Sequence, residues 1–324
     1  MKHPLTVAVI GSGYMGKRHL EIFLKKAERV ILCSNDVEKG AALAASCGCA
    51  FYADHKELLE KERIDVASVC VPTHLHAPIT VDLLRAGVHV LCEKPFASTL
   101  EDAEKMIRTS RESGKLLMIA HCERFSKQYE YLRRCIADGR FGKLSYLNLY
   151  RHNKLPAWSV SNWLLNFEVS GGVVRDLHVH DTDLIHHILG IPTSVCTSGN
   201  SLTCSTLYRF ENGTSVTASG SWRTTDSYRG GKGYDAVFEG AVLRFKGKKV
   251  VLMTNDGESE VLVAEEKLPP YFEESMYENE IEYFCQCVRQ GVRPEHCLPE
   301  DSLTSLRINL AESQSLSTGK TVEL

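Results

Sequence analysis

Leu5-Thr6-Val7-Ala8-Val9-Ile10-Gly11-Ser12-Gly13-Tyr14-Met15-Gly16 is an apolar, β-branched run that ends in glycines at positions i, i+2 and i+5 and leads into a helical pattern. In a strand that turns directly into a helix, each glycine of a G-x-G-x-x-G spacing has its own task. Gly11 permits the tight turn, Gly13 lets a phosphate approach the backbone, and Gly16 lets helix and strand close on each other. The helix N-terminus adds N–H donors and a partial positive charge. The stretch therefore predicts the first βα unit of a doubly wound parallel sheet with a dinucleotide at the carboxyl end of its strands, and Ser12, Tyr14 and Met15 fall within that turn.

Outward from it, Arg29–Cys33, Val66–Val71, Val88–Cys92 and Lys115–Ile119 repeat the theme: short runs apolar on both faces, separated by amphipathic helical stretches. That alternation is the mark of buried parallel strands with helical crossovers. Beyond about Glu123 the pattern changes. A helix and an alternating strand (Lys143–Arg151) precede a segment with two tryptophans and a helix starting near Gly172. Strands at Val195–Asn200, Leu202–Phe210, Thr214–Trp222, Asp235–Phe238, Ala241–Phe245 and Lys249–Thr254 are split by turn signals such as Glu211-Asn212-Gly213. Those spacings predict an antiparallel meander. Helices at Glu273–Gln290 and Ser302–Ser315 finish the chain. The expected division is a dinucleotide-binding domain over residues 1–122 and an α/β domain with an open, mostly antiparallel sheet over 123–324, for substrate binding and oligomerisation.

Composition narrows the function classes. With 324 residues, 43% hydrophobic content, 24% charged content and a net charge of −3, the chain has the makeup of an ordinary globular protein. It offers neither a basic stripe for nucleic acid nor a polybasic membrane anchor. No run approaches the roughly 20 apolar residues of a membrane span, and Met1-Lys2-His3-Pro4 leads straight into a strand. The twelve cysteines lack zinc-ribbon or C-x-x-C spacing and sit mostly in strands and helices. They read as free thiols of a reducing, cytoplasmic protein.

The end of the second strand decides which dinucleotide is admitted, because an acidic side chain there bonds the ribose 2′-hydroxyl and repels a 2′-phosphate. The strand runs Val30-Ile31-Leu32-Cys33-Ser34-Asn35-Asp36. If Ser34 holds the position, with Asn35 and Lys39 nearby, the phosphorylated cofactor is admitted; if Asp36 holds it, the plain form is. Asp36 also suits the N-cap of the next helix, so the sequence favours NADP over NAD.

Two further clusters carry chemistry. The strand Val88–Cys92 ends in Glu93-Lys94-Pro95, which places Lys94 at the carboxyl edge of the sheet, where a lysine can bond a substrate oxygen; the isomer of the Lys94–Pro95 bond is left open. In the helix from Gly171-Gly172, Asp176, His180 and Asp183 fall at i, i+4 and i+7 on one face. Asp176 can orient His180, and oxidising an alcohol needs a base near neutrality as hydride leaves carbon. Among His178, His180, Asp183, His186 and His187, only His180, Asp183 and His187 share a face, so no metal is expected. His152, Trp158 and Trp163 offer aromatic faces for a sugar-facing wall.

Together with Pro72-Thr73-His74-Leu75-His76, Gly87 through Pro95, and Thr318-Gly319-Lys320-Thr321-Val322-Glu323, these motifs make the chain resemble the glucose-fructose oxidoreductase/inositol dehydrogenase/rhizopine catabolism (Gfo/Idh/MocA) family over essentially its whole length. The resemblance implies a Rossmann domain and a C-terminal domain whose sheet often forms a homodimer or homotetramer interface. It carries cofactor contacts onto Val71, Pro72, Thr73, His76 and Glu93, catalysis onto Lys94, Asp176 and His180, and substrate contacts onto Arg124 and Tyr234. The chain departs from the family at His178, where glycine is usual, and at Ser34-Asn35, where NADP-using members have arginine second. The expectation is an NAD(P)-dependent oxidoreductase acting on a sugar, polyol or inositol-like substrate. The alternatives are a redox-assisted enzyme with tightly held cofactor and a sugar- or cofactor-sensing protein on the same fold.

Overall fold

The computed structural model describes residues 4–157, 159–228, 230–263, 266, 268–272 and 275–324. They form two compact units. The first contains a six-stranded sheet of β1 (Thr6–Ile10), β2 (Arg29–Cys33), β3 (Ala50–Tyr52), β4 (Val66–Val69), β5 (His89–Glu93) and β6 (Leu117–Ala120) in the order β3-β2-β1-β4-β5-β6. Every pairing is parallel. The chain reverses its direction of winding between β1 and β4, so a crevice opens at their carboxyl ends. Val7, Ala8, Val9, Val66, Ala67, Val90 and Leu91 are fully buried, as strands covered by helices on both faces must be. The helices are α1 (Tyr14–Lys26), α2 (Val37–Cys47), α3 (His55–Lys61), α4 (His76–Arg85) and α5 (Leu100–Ser113). Of this sheet's strands, β3 escaped the sequence pattern: it has three residues at the sheet edge, none fully buried, and carries too little hydrophobic signal to be seen.

The first unit ends its opening stretch at Cys122 but regains residues 159–161 and 275–303. The second domain is therefore not one continuous segment over 123–324. The Met276–Gln290 helix packs on α1 instead: Lys26 lies 3.5 Å from Glu282, Lys25 3.8 Å from Glu278, and the Arg18 guanidinium covers the Tyr277 ring. Its buried Ile281 and Phe284 supply the apolar stripe, and a capping box of Ser275 and Glu278 starts it.

The second unit is built on a nine-stranded sheet: β7 (Leu144–His152), β8 (Ser194–Asn200), β9 (Thr203–Arg209), β10 (Ser215–Ser221), β11 (Gly231–Phe238), β12 (Val242–Lys246), β13 (Lys249–Thr254), β14 (Gly257–Val261) and β15 (Val322–Glu323). The order is β14-β13-β12-β11-β7-β10-β9-β8-β15. It is not one meander. Two antiparallel runs, β8-β9-β10 and β11 to β14, flank β7, which pairs parallel with β10 and antiparallel with β11. Tight turns close each run, whereas the long connection after β10 carries the chain across β7 to its far edge. Alternation along β7, β9 and β10 buries one face against helices over a core that includes Leu147, Leu149, Val216, Tyr234 and Phe245. No helix among the described residues is long and apolar enough to cross a membrane.

Candidate active site

In the first unit the glycine turn is forced by sterics. Gly11 has φ +113°, and a Cβ there would lie 2.3 Å from the Cys70 carbonyl oxygen; a Cβ on Gly16 would lie 2.0 Å from that of Gly11. Such a turn excludes side chains and leaves backbone facing the crevice. Helix α1 starts at Gly13 with no side-chain cap and no acidic residue in its first turn, a cradle that suits a phosphate and fits a dinucleotide. Tyr14 is exposed and Met15 half-buried.

At the ribose end, the Ser34 hydroxyl is buried and lies 2.8 Å from that of Ser12, so it joins strand to turn instead of facing outward. Asn35 and Lys39 are exposed. Asp36 accepts from the Lys39 backbone N–H at 3.2 Å as the N-cap of α2, the role its position suggested.

Lys94 follows β5, half-buried, before a cis bond to Pro95. The groups around its backbone are interior ones. Glu93 is 6% exposed; its Oε1 lies 3.2 Å from His19 Nε2, and its Oε2 accepts from the Lys94 N–H at 3.1 Å. His19 Nδ1 lies 2.7 Å from the Ser68 hydroxyl. Burial opposes the charge on both members, yet Cys70 and Glu93 hold the His19 imidazole well above its ordinary range, and the contact with His19 holds Glu93 below its own. His76 is buried with both ring nitrogens 2.9 Å from carbonyl oxygens, of Pro95 and of Val71. Burial lowers its proton affinity, while two oxygens that only accept favour a ring carrying both N–H groups. Glu93 and His76 are thus both buried and braced from within; Val71 and Pro72 stay half-buried and Thr73 is buried at the start of the next turn.

In the second unit the segment after Gly172 is not one regular helix. Val174–His178 forms a π turn before the Val179–Leu189 helix, so the regular i, i+4, i+7 phase does not carry through. Asp176 and His180 are half-buried, whereas Asp181 and Asp183 are wholly buried. Side chains receive the carbonyls of the widened turn: Asn309 donates to Val174 O at 2.9 Å, and Thr182 donates to His178 O at 3.1 Å. His178 is buried beside Gly220, its Nε2 3.0 Å from the Thr206 hydroxyl and 3.1 Å from that of Tyr208. Tyr208 donates to the buried Glu312 at 2.6 Å, whose carboxyl is pushed up by burial. The imidazole where glycine is usual thus ties the π turn to the sheet and to the last helix.

Arg124 and Tyr234 both lie in the interior. Arg124, 1% exposed, forms a bidentate pair with Asp183 at 2.9 and 2.7 Å. Tyr234 is fully buried against Tyr129 and Phe245, and its hydroxyl donates to Gln128 O at 3.1 Å. A second buried network escaped the sequence reading: Arg151 bridges Glu123 (2.6 Å) and Asp181 (2.9 Å), and Lys232 also donates to Glu123. His152 is half-buried at the end of β7, 3.1 Å from the Tyr228 hydroxyl and 3.2 Å from that of Ser219. Trp163 is half-buried in a short helical turn, and Trp158 lies outside the described residues.

Comparison with known proteins places the chain in a family. Residues 5–121 match the model of the Gfo/Idh/MocA oxidoreductase family with its NAD-binding Rossmann fold, and residues 129–249 match the C-terminal domain of the same family. The chain belongs to the Gfo/Idh/MocA family. Among curated relatives, 2,7-anhydro-N-acetylneuraminate hydratase of Mediterraneibacter gnavus is 29% identical over 60% of this chain and 52% of that protein. Myo-inositol 2-dehydrogenase of Thermotoga maritima is 25% identical over 99% of this chain and 98% of its own. The alignments to the first curated relatives span about half the length of those proteins. A solved structure of an NADPH-dependent oxidoreductase candidate from Desulfitobacterium hafniense superposes with a TM-score of 0.87 over 99% of this chain and 98% of that one, at 21% identity. At that identity the likeness concerns fold alone.

Proposed function

We propose that this Gfo/Idh/MocA protein moves a hydride between NAD(P) and a hydroxyl or carbonyl carbon of a sugar, polyol or inositol-like substrate. The observation that carries the reading is the glycine turn at the switch point of the β3-β2-β1-β4-β5-β6 sheet, with Lys94 at the carboxyl end of β5 in the same unit. Bound nicotinamide supplies the hydride acceptor or donor. Gly11 to Gly16 receive the pyrophosphate on the start of α1, and the Val71–Thr73 loop borders the cofactor. Lys94 donates a hydrogen bond to the reacting oxygen, His180 takes or returns the hydroxyl proton, and Asp176 orients and charge-stabilises that imidazole. His152 and Trp163 contribute polar and aromatic surface to the substrate.

NADP is the favoured cofactor. That reading is supported by the absence of an acidic residue at Ser34, by the capping role that occupies Asp36, and by the exposed Asn35 and Lys39 beside them. Twelve free thiols, nine of them buried, suit a reducing cytoplasm. The outer face of the nine-stranded sheet is the proposed homodimer or homotetramer surface, to be checked by light scattering.

The test is NAD(P)⁺ reduction at 340 nm against a panel of inositols, polyols and sugars. A substrate that turns over in wild type, with rates about 10² to 10⁴ lower in Lys94→Ala and His180→Ala, supports the proposal. A hydratase among the relatives favours one second reading, a redox-assisted reaction with retained cofactor. Protein that copurifies with nicotinamide and converts sugar with no net NAD(P)H would favour it instead.

A further inference from the structure

We propose that Glu93, held by His19, is a positioning residue for Lys94, and that with His76 it clamps the lysine turn to the two loops that flank the dinucleotide crevice. The inference rests on the reading of Lys94 as the group that meets substrate, and deepens it. A lysine side chain carries several rotatable bonds and brings little orientation of its own. Where its head goes is set by how firmly its backbone is held, and both sides of the Lys94 backbone are held by buried groups. Before it, the Lys94 N–H donates to Glu93 Oε2 at 3.1 Å. After it, the carbonyl of Pro95 faces His76 Nδ1 at 2.9 Å.

Each brace leads to a different loop. His19 stands on α1, three residues past Gly16, with 0% exposure; it reaches Glu93 at 3.2 Å through Nε2 and Ser68 of β4 at 2.7 Å through Nδ1. His76 opens α4, and its other nitrogen faces Val71 O at 2.9 Å. The helix that begins at the glycine turn, the loop after β4 and the Lys94 turn are therefore tied together by hydrogen bonds and by the His19–Glu93 ion pair. Glu93 accepts from the Lys94 N–H through Oε2 and holds Oε1 3.2 Å from the His19 ring nitrogen, an ion-pair distance; a carboxylate offers an acceptor to both sides, whereas glutamine would turn an NH₂ toward one of them. A buried ion pair gives weak stability for its desolvation cost and is better suited to holding a geometry. The raised affinity of His19 for its proton and the lowered one of Glu93 agree with a charged pair.

The experiment uses a signal from Lys94 itself. Reductive methylation with ¹³C-formaldehyde gives every lysine a dimethylamine resonance, and the Lys94 resonance is identified by its loss in Lys94→Arg. Wild type, Glu93→Gln, His19→Leu and His19→Gln are compared by ¹³C NMR without cofactor and with NADPH or NADH, alongside circular dichroism and cofactor titration. The expected result is a single Lys94 resonance in wild type that is displaced or split in Glu93→Gln and His19→Leu. In His19→Gln, whose amide again donates toward Glu93, it returns to its wild-type position. Cofactor Kd stays within about threefold across the folded variants. A Lys94 resonance that is unchanged in folded Glu93→Gln, or a His19→Gln spectrum that matches His19→Leu, overturns the proposal. If Glu93→Gln does not fold, the comparison of the two His19 variants decides. A wild-type Lys94 resonance that ignores both cofactors overturns the placement of Lys94 at the nicotinamide, a different failure from loss of the Glu93 effect.

Discussion

Replacing Arg124 by methionine separates a structural from a substrate-binding role for that arginine. Its guanidinium donates from Nε and Nη2 to Asp183 at 2.9 and 2.7 Å, and the two side chains are 0% and 1% exposed. Methionine keeps much of the volume but removes the charge, so Asp183 is left buried without its guanidinium, the Ser305 hydroxyl still donating to it at 2.7 Å. Breaking one side of such a pair costs about 3–5 kcal/mol, because the stranded carboxylate must stay charged in a dry interior or take up a proton. At roughly 2–4 °C per kcal/mol for a unit of this size, the thermal midpoint falls by about 6–20 °C. Neutralising the stranded partner should reverse most of the loss: Arg124→Met/Asp183→Asn is expected to regain more than half of it, since the asparagine oxygen still accepts from Ser305. Calorimetry or circular dichroism melts of the three variants give the answer, with cofactor Kd measured beside them. A single variant that melts with wild type, or a double variant that melts below the single, refutes the reasoning; a raised KM with an unchanged melt would return Arg124 to the substrate.

Three other outcomes are expected. Gly16→Ala drives a methyl group to 2.0 Å from the Gly11 carbonyl oxygen, so the turn must open, and NADPH affinity by fluorescence should fall at least about tenfold. Arg151→Met strands Asp181 and leaves Glu123 to Lys232 alone, and should lower the melt by about as much as Arg124→Met. His89 accepts from the Leu116 N–H at 3.0 Å through Nδ1, and burial, then Lys115, depress its pKa to about 4 from 6.5. The unfolded chain takes the proton first as pH falls below 6.5, so the stabilisation is complete above that value and lost on the way down to about 4, by roughly 2–3 kcal/mol in all. His89→Asn, which still accepts from Leu116 but does not titrate, should flatten the melting midpoint over that range; an equal slope in both proteins would contradict this.

The sequence carried the first unit well because its signals are local. Glycine spacing, β-branched runs and a proline after Lys94 act over a few residues, and the sheet follows from them by the right-handed crossover rule. The second unit was less legible for a reason that lies in distance. The partners of Asp181 and Asp183 are Arg151 and Arg124, 30 and 59 residues away in the chain, so their ion pairs leave no periodic trace, and the burial of both aspartates was not legible. The π turn at Val174–His178 is likewise set by Asn309 and by the His178–Tyr208–Glu312 connection, all nonlocal. Assigning Arg124 and Tyr234 to the substrate came from resemblance, which transfers a position but not the direction of a side chain. His19 did leave a signal: a histidine three residues past Gly16, on the stripe of α1 that also carries Leu20 and Phe23. A polar group on an apolar stripe demands a buried partner.

The central claim is that this Gfo/Idh/MocA chain holds NAD(P) on its glycine turn and does redox chemistry with it. Titrating purified wild type and Gly13→Asp with NADPH and with NADH, followed by nicotinamide fluorescence, tests the first half directly. The account predicts saturable binding by wild type, tighter for NADPH, and none by the variant, whose carboxylate would stand where the pyrophosphate lies. Wild type that binds neither dinucleotide would contradict it.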